Sequence, residues 1–106
     1  MTGRYGHVAE ALLRERGVSR KLGQGFGSGA LTVNGRIFAM LSARGEFVVK
    51  LRRERVDALV ASRAGKPFDA GRGRVMKEWL ALDPRSREDW TALAEEARAF
   101  VSRSTR

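Results

Sequence analysis

Apolar residues alternate with polar ones between Ala30 and Leu51, and two turn signals divide that stretch into three short strands. Asn34-Gly35 suits a type I′ hairpin turn, because both of its central residues must adopt positive φ. Ala43-Arg44-Gly45 suits a three-residue loop with Gly45 left-handed. These turns predict an antiparallel meander with a definite register. Val33 opposes Arg36, Thr32 opposes Ile37 and Leu31 opposes Phe38. Leu41 then opposes Phe47, Ala39 opposes Val49 and Ile37 opposes Leu51. Opposed residues share a sheet face and successive residues swap faces. One predicted face therefore holds Ile37, Ala39, Leu41, Phe47, Val49 and Leu51 and is core. The other holds Leu31, Val33, Phe38, Met40 and Val48 among Arg36, Ser42, Glu46 and Lys50.

Helical periodicity flanks the meander. Tyr5, Val8, Ala9 and Leu12 recur at i, i+3, i+4 and i+7, with Leu13 widening the stripe and Gly17 placed to stop the helix. Val56, Leu59 and Val60 mark a second helix over Arg53–Arg63, with Gly65 as its left-handed stop and Pro67 preventing a restart. Met76–Leu82 reads as a strand with Lys77, Trp79 and Ala81 on one face and Met76, Glu78, Leu80 and Leu82 on the other; alternation alone does not say which faces the core. A last helix buries Trp90, Leu93, Ala94, Ala97 and Val101. Pro84 fits its first turn, and Ser86 with Asp89 resembles a capping box. Residues 102–106 are expected to fray.

A chain of 106 residues with 42% hydrophobic content fits one domain over residues 1–106. It contains no cysteine, which excludes disulfides and thiolate metal sites. The first twenty residues hold no continuous apolar run, and no stretch approaches the ~20 apolar residues of a membrane span. A cytoplasmic protein without membrane contact is the expectation.

The net charge of +9 changes the picture, because all of the excess lies before Val75; residues 75–106 carry six basic and six acidic side chains. A basic surface of this size attracts polyanions, although an arginine-rich soluble surface needs no such partner. Lys50, Arg52, Arg53, Arg55, Lys66, Arg72 and Arg74 are the candidate nucleic-acid contacts.

Catalytic chemistry has little to stand on. His7 is the single histidine and reads as a surface residue. No G-x-S-x-G elbow occurs and no acidic residues fall at metal-ligand spacing. The run GQGFGSG at 23–29 fails as a phosphate loop: Ser28 stands where G-x-G-x-x-G needs glycine, and a helix precedes it where a strand should. No enzyme activity, metal or cofactor is expected.

Phe26-Gly27, Val33-Asn34-Gly35-Arg36-Ile37-Phe38-Ala39, Lys50, Pro67-Phe68, Met76 and Trp79, in this order between helices, resemble the N-terminal domain of TfoX/Sxy, the competence regulator. The resemblance spans roughly Tyr5 to Val101. It implies a two-layer α+β fold, α-β-β-β-α-(β)-β-α, with helices on one side of an antiparallel sheet, similar to type III secretion chaperones. It implies a further short strand near Pro67-Phe68 pairing with Met76–Leu82. It also implies a regulatory, non-enzymatic module; the C-terminal half of full-length TfoX has no counterpart here, and the family offers no catalytic residues. In a two-layer fold the second sheet face would serve as a protein interface, through Leu31, Val33, Arg36, Phe38, Met40 and Val48, with a partner protein or a second copy. The competing expectation is that the last helix or the Lys66–Arg74 loop covers that face. Sequence-indifferent nucleic-acid binding is the alternative function.

Overall fold

The computed structural model describes residues 3–21, 29–69 and 75–104. In chain order they form α1 (Arg4–Leu12), β1 (Val18–Arg20), β2 (Leu31–Val33), β3 (Arg36–Leu41), β4 (Phe47–Lys50), α2 (Arg53–Ala61), β5 (Lys66–Asp69), β6 (Val75–Leu82) and α3 (Trp90–Ser104). The six strands make one open antiparallel sheet in the order β1-β2-β3-β4-β6-β5. The fold is α+β, as expected. All three helices lie on one side: Val8, Leu12, Val56, Leu59, Trp90 and Ala97 share a core with Leu31, Phe38, Phe47, Val49, Leu80 and Leu82. A smaller cluster on the other side contains strand and loop residues only.

The turn chemistry behaves as the sequence predicts. Asn34 and Gly35 take φ of 52° and 84°, and Gly45 takes 81°. The pairs Val33–Arg36, Thr32–Ile37, Ala39–Val49 and Leu41–Phe47 all form. Two pairs do not: Leu51 lies past the end of β4 and donates its N–H to the Glu78 carbonyl instead of meeting Ile37, and Leu31 opposes Ala39 rather than Phe38, because the register shifts between Leu31 and Thr32. Phe38 is thus an extra residue on β3, a bulge that turns Phe38 and Ala39 to the same side. Faces assigned by strict alternation are therefore wrong on the β2 side of this bulge. Leu31, Val33 and Phe38 join the helix-side core, and Ile37 moves to the second face.

Other differences have local causes. β1 is absent from the sequence reading; three residues, Val18 to Arg20, are too short to show a period, and they gain strand structure from β2. Gly17 does not cap α1, whose cap residue is Leu13. It leads into β1, with its carbonyl accepting from Asn34 N–H at 3.1 Å. Leu13 is exposed rather than part of the stripe. α2 ends at Ala61, and Arg63 takes the left-handed conformation (φ 65°) expected of Gly65. Gly65 is needed for a different reason: a Cβ there would lie 2.9 Å from the Ala81 carbonyl oxygen, so only glycine lets the chain pass β6 so closely. β5 forms at Pro67-Phe68 and pairs with β6, as the family resemblance implies.

α3 starts at Trp90, later than Pro84 suggests. Residues 83–89 form turns: Asp83 Oδ1 accepts from Arg85 N–H at 2.8 Å and Ser86 Oγ from Glu88 N–H at 3.1 Å. Asp89 is the residue that caps the helix, with Oδ1 accepting from Ala92 N–H at 3.0 Å. The apolar stripe Trp90, Leu93, Ala94, Ala97 and Val101 is buried throughout, and α3 lies across β3 and β4 beside α1.

Candidate interaction surfaces

The second sheet face is built where β3, β4, β6 and β5 run side by side. Met40 opposes Val48, and Val48 opposes Ala81, so these three share it. They pack with Ala30 and Phe68, while Ile37 and Trp79 sit half-buried against them. Lys50 opposes Trp79 and holds its ammonium 5.7 Å from a ring centroid of the indole. Toward the other end, Glu46 is the one buried charged residue among the described residues, at 6% exposure. Its carboxylate meets Lys66 Nζ at 3.1 Å and Arg44 Nε at 3.9 Å, and accepts from Ser42 Oγ at 3.4 Å. The Ser42 hydroxyl also accepts from Glu46 N–H at 3.1 Å, which closes the turn around Gly45.

Of the residues expected to form an interface here, Leu31, Val33 and Phe38 are instead covered by the helices, for the reason given by the bulge. Arg36 is exposed beside the hairpin turn. Met40 and Val48 do lie on the second face, but at its centre, 7% and 0% exposed. α3 does not cover this face, since it packs on the opposite side. Phe68, from the Lys66–Arg74 segment, does pack against it. The residues of that apolar cluster that reach the surface are Ile37 and Trp79. Ile37 lies beyond the bulge, where alternation fails, and Trp79 stands on a strand whose alternation leaves both faces open.

The candidate nucleic-acid residues divide between two layers. Lys50 and Lys66 belong to the second face. Arg52 lies over the Phe100 ring at 6.0 Å, and Arg55 pairs with Glu96 at 2.8 Å, so both are drawn toward α3. Arg53 is exposed. Arg72 and Arg74 lie outside the described residues. Arg53 and Arg55 stand on the first turn of α2 and Arg52 at its N-cap, which carries no side-chain cap.

A cleft of about 540 Å³ that the sequence gives no sign of opens at the start of α1. Arg4, Tyr5, Arg20, Leu41, Pro84 and Trp90 line it. The Arg4 guanidinium lies 4.0 Å from the centroid of a Trp90 ring and donates to the carbonyls of Pro84 (3.3 Å), Ser86 and Glu88 (2.7 Å). This ties the 83–89 turns to α1. The Tyr5 hydroxyl donates to the Gly29 carbonyl at 2.8 Å. Burial pushes its phenol up to about 12, against the opposing pull of the Arg20 guanidinium, which lies 5.7 Å from the ring centroid. The buried Trp90 indole N–H finds no acceptor among the described residues.

His7 is exposed on α1. No group of three or more His, Asp or Glu among the described residues is placed to hold a metal ion, and none of the described helices is long and apolar enough to cross a membrane. No family model, curated protein or solved structure matches this chain.

Proposed function

We propose that this protein is a non-enzymatic regulatory or interaction module of the TfoX N-terminal type, acting through protein contacts on its second sheet face. One observation carries the reading: this face has an apolar centre, and no residue of a described helix belongs to its cluster. That centre is itself buried, so the apolar area open to a partner is that of half-buried Ile37 and Trp79, with Lys50 beside Trp79 as a polar rim. The sheet edges are poor alternatives. β1 offers only three residues, and β5 carries Lys66, Pro67 and Asp69, devices that discourage strand addition. Contacts are therefore expected face-on, with a partner protein or a second copy.

Sedimentation and circular dichroism of the wild type and Ile37→Glu, with capture from cytoplasmic extract before and after nuclease, test the reading. The wild type should self-associate or retain a protein partner after nuclease, and the variant should stay folded and lose it. A wild type that stays monomeric and retains no protein overturns it.

A second reading, weak and sequence-indifferent nucleic-acid binding, is favoured by the arginines at the start of α2. A helix N-terminus is its positive pole, where cations are disfavoured, and Glu54 is the one acidic residue in that turn. Local charge placed against its own stability fits a surface that meets an anion.

A further inference from the structure

We propose that the cleft at the start of α1 binds a small amphiphilic anion, a carboxylate carrying a short apolar or aromatic tail. This stands apart from the sheet-face reading, since the cleft lies on the helix side of the molecule.

Its charge is one-sided. Arg4 and Arg20 line it, and no acidic side chain among the described residues does. The two arginines play different parts. Arg4 is held by three carbonyl oxygens and by the Trp90 ring, so it contributes field and a rigid wall. Arg20 is exposed, has no carboxylate of the described residues within ion-pair range, and keeps its planar donors for a ligand carboxylate. The first turn of α1 also lines the cleft, and it has neither an acidic residue nor a side-chain cap. That adds a positive pole.

The remaining wall is apolar. Among the described residues, Leu41 is one of two large hydrophobic residues that stand exposed, at 44%, although its strand partner Phe47 is fully buried. Leu41 faces this cleft together with Pro84 and Trp90. Trp90 itself is buried, with Phe47 and the Arg4 guanidinium both lying over its ring. The cleft holds about 540 Å³ and is more open than enclosed, so a ligand seated there keeps one side in water. Cations without counter-ions beside an exposed leucine suit a ligand with one charged end and one apolar end; a bare inorganic anion leaves Leu41 in water, and a neutral apolar ligand leaves Arg20 unused.

Amide and indole N–H correlation spectra during titration with phenylacetate test this, with phenylacetamide (same shape, no charge) and acetate (same charge, no tail) as companion probes. Phenylacetate should give saturable shifts at Arg20, Leu41, Gly45 and the Trp90 indole. Each companion should bind about tenfold more weakly, as the loss of a charge-assisted contact or of the apolar contact implies. Arg20 is exposed on β1, so Arg20→Gln should leave the fold intact, and it should weaken phenylacetate about tenfold without changing phenylacetamide. Equal affinity for phenylacetate and phenylacetamide, shifts scattered away from the cleft, or undiminished binding by Arg20→Gln would each overturn the proposal.

Discussion

Phe47 and Leu41 oppose each other across one pair of strands, yet they differ in everything that sets the cost of losing them. Phe47 is fully buried, stacked on Trp90 at 4.6 Å and tilted against Tyr5 at 6.0 Å. Phe47→Ala removes the centre of an aromatic trio and should destabilise by about 3–5 kcal/mol in urea unfolding. Leu41 faces the same side but is 44% exposed. Leu41→Ala should cost less than about 1 kcal/mol, as partly exposed sites do. Reversal of that order would place the helix layer elsewhere on the sheet. Tyr5 gives a pH signature from the same trio. Its phenol is raised to about 12 in the folded protein, chiefly by burial, against about 10 in an unfolded chain. The native state then holds the proton longer, so this contribution is complete below about pH 10 and is lost as pH rises through the folded value. Tyr5→Phe should flatten the alkaline decline in stability relative to wild type. Because the chain has one tyrosine, phenolate absorbance reads it directly; titration near the ordinary value would show an open ring.

Elements were legible where a few adjacent residues decide them. Asn34-Gly35 and Gly45 set two turns by backbone conformation alone, and the periodic stripe of α3 decides its buried face. The bulge at Phe38 was not legible. The residue type does not mark it, and it follows from how β2 meets β3 once both are packed under helices. That single extra residue moved Leu31, Val33 and Phe38 to the core and Ile37 to the second face, so half of the expected interface disappeared with it. The start of α3 shows the same limit. Ser86 and Asp89 both suit a cap, and only the turns at 83–89 decide between them. Asp89→Ala removes the acceptor for Ala92 N–H and should cost about 1 kcal/mol. Ser86→Ala should cost clearly less in the same denaturation series, because Ser86 Oγ serves a turn outside the helix. A larger loss at Ser86 would put the helix start one turn earlier.

The charge of the whole molecule asks whether its excess of cations is a site or a general field. Several acidic side chains are already engaged: Glu46 lies between Arg44 and Lys66, Glu96 meets Arg55, and Glu95 and Glu15 both approach Arg98. The exposed Arg55–Glu96 pair stabilises little, about 0–1 kcal/mol, and together these contacts leave the surplus on other residues. Arg14 and Arg16 follow α1, Arg36 lies by the hairpin, and Arg52 and Arg53 open α2, all exposed. Such a scatter has no recognisable base reader, so any duplex binding should ignore sequence and depend steeply on salt. The α2 surface can still dominate, because its arginines stand close together on a helix pole. Anisotropy titrations with unrelated duplexes should show binding near ~50 mM salt that fades by ~200 mM. Replacing Arg52 and Arg53 by Glu should weaken every duplex alike and reduce the salt slope by about two if each meets one phosphate. The same reversal at Arg14 and Arg16 should do less. Equal losses from the two pairs would mean a general field without a site, and no binding at ~50 mM salt with high-micromolar protein would remove nucleic acid as a partner, since non-specific attraction is strongest there.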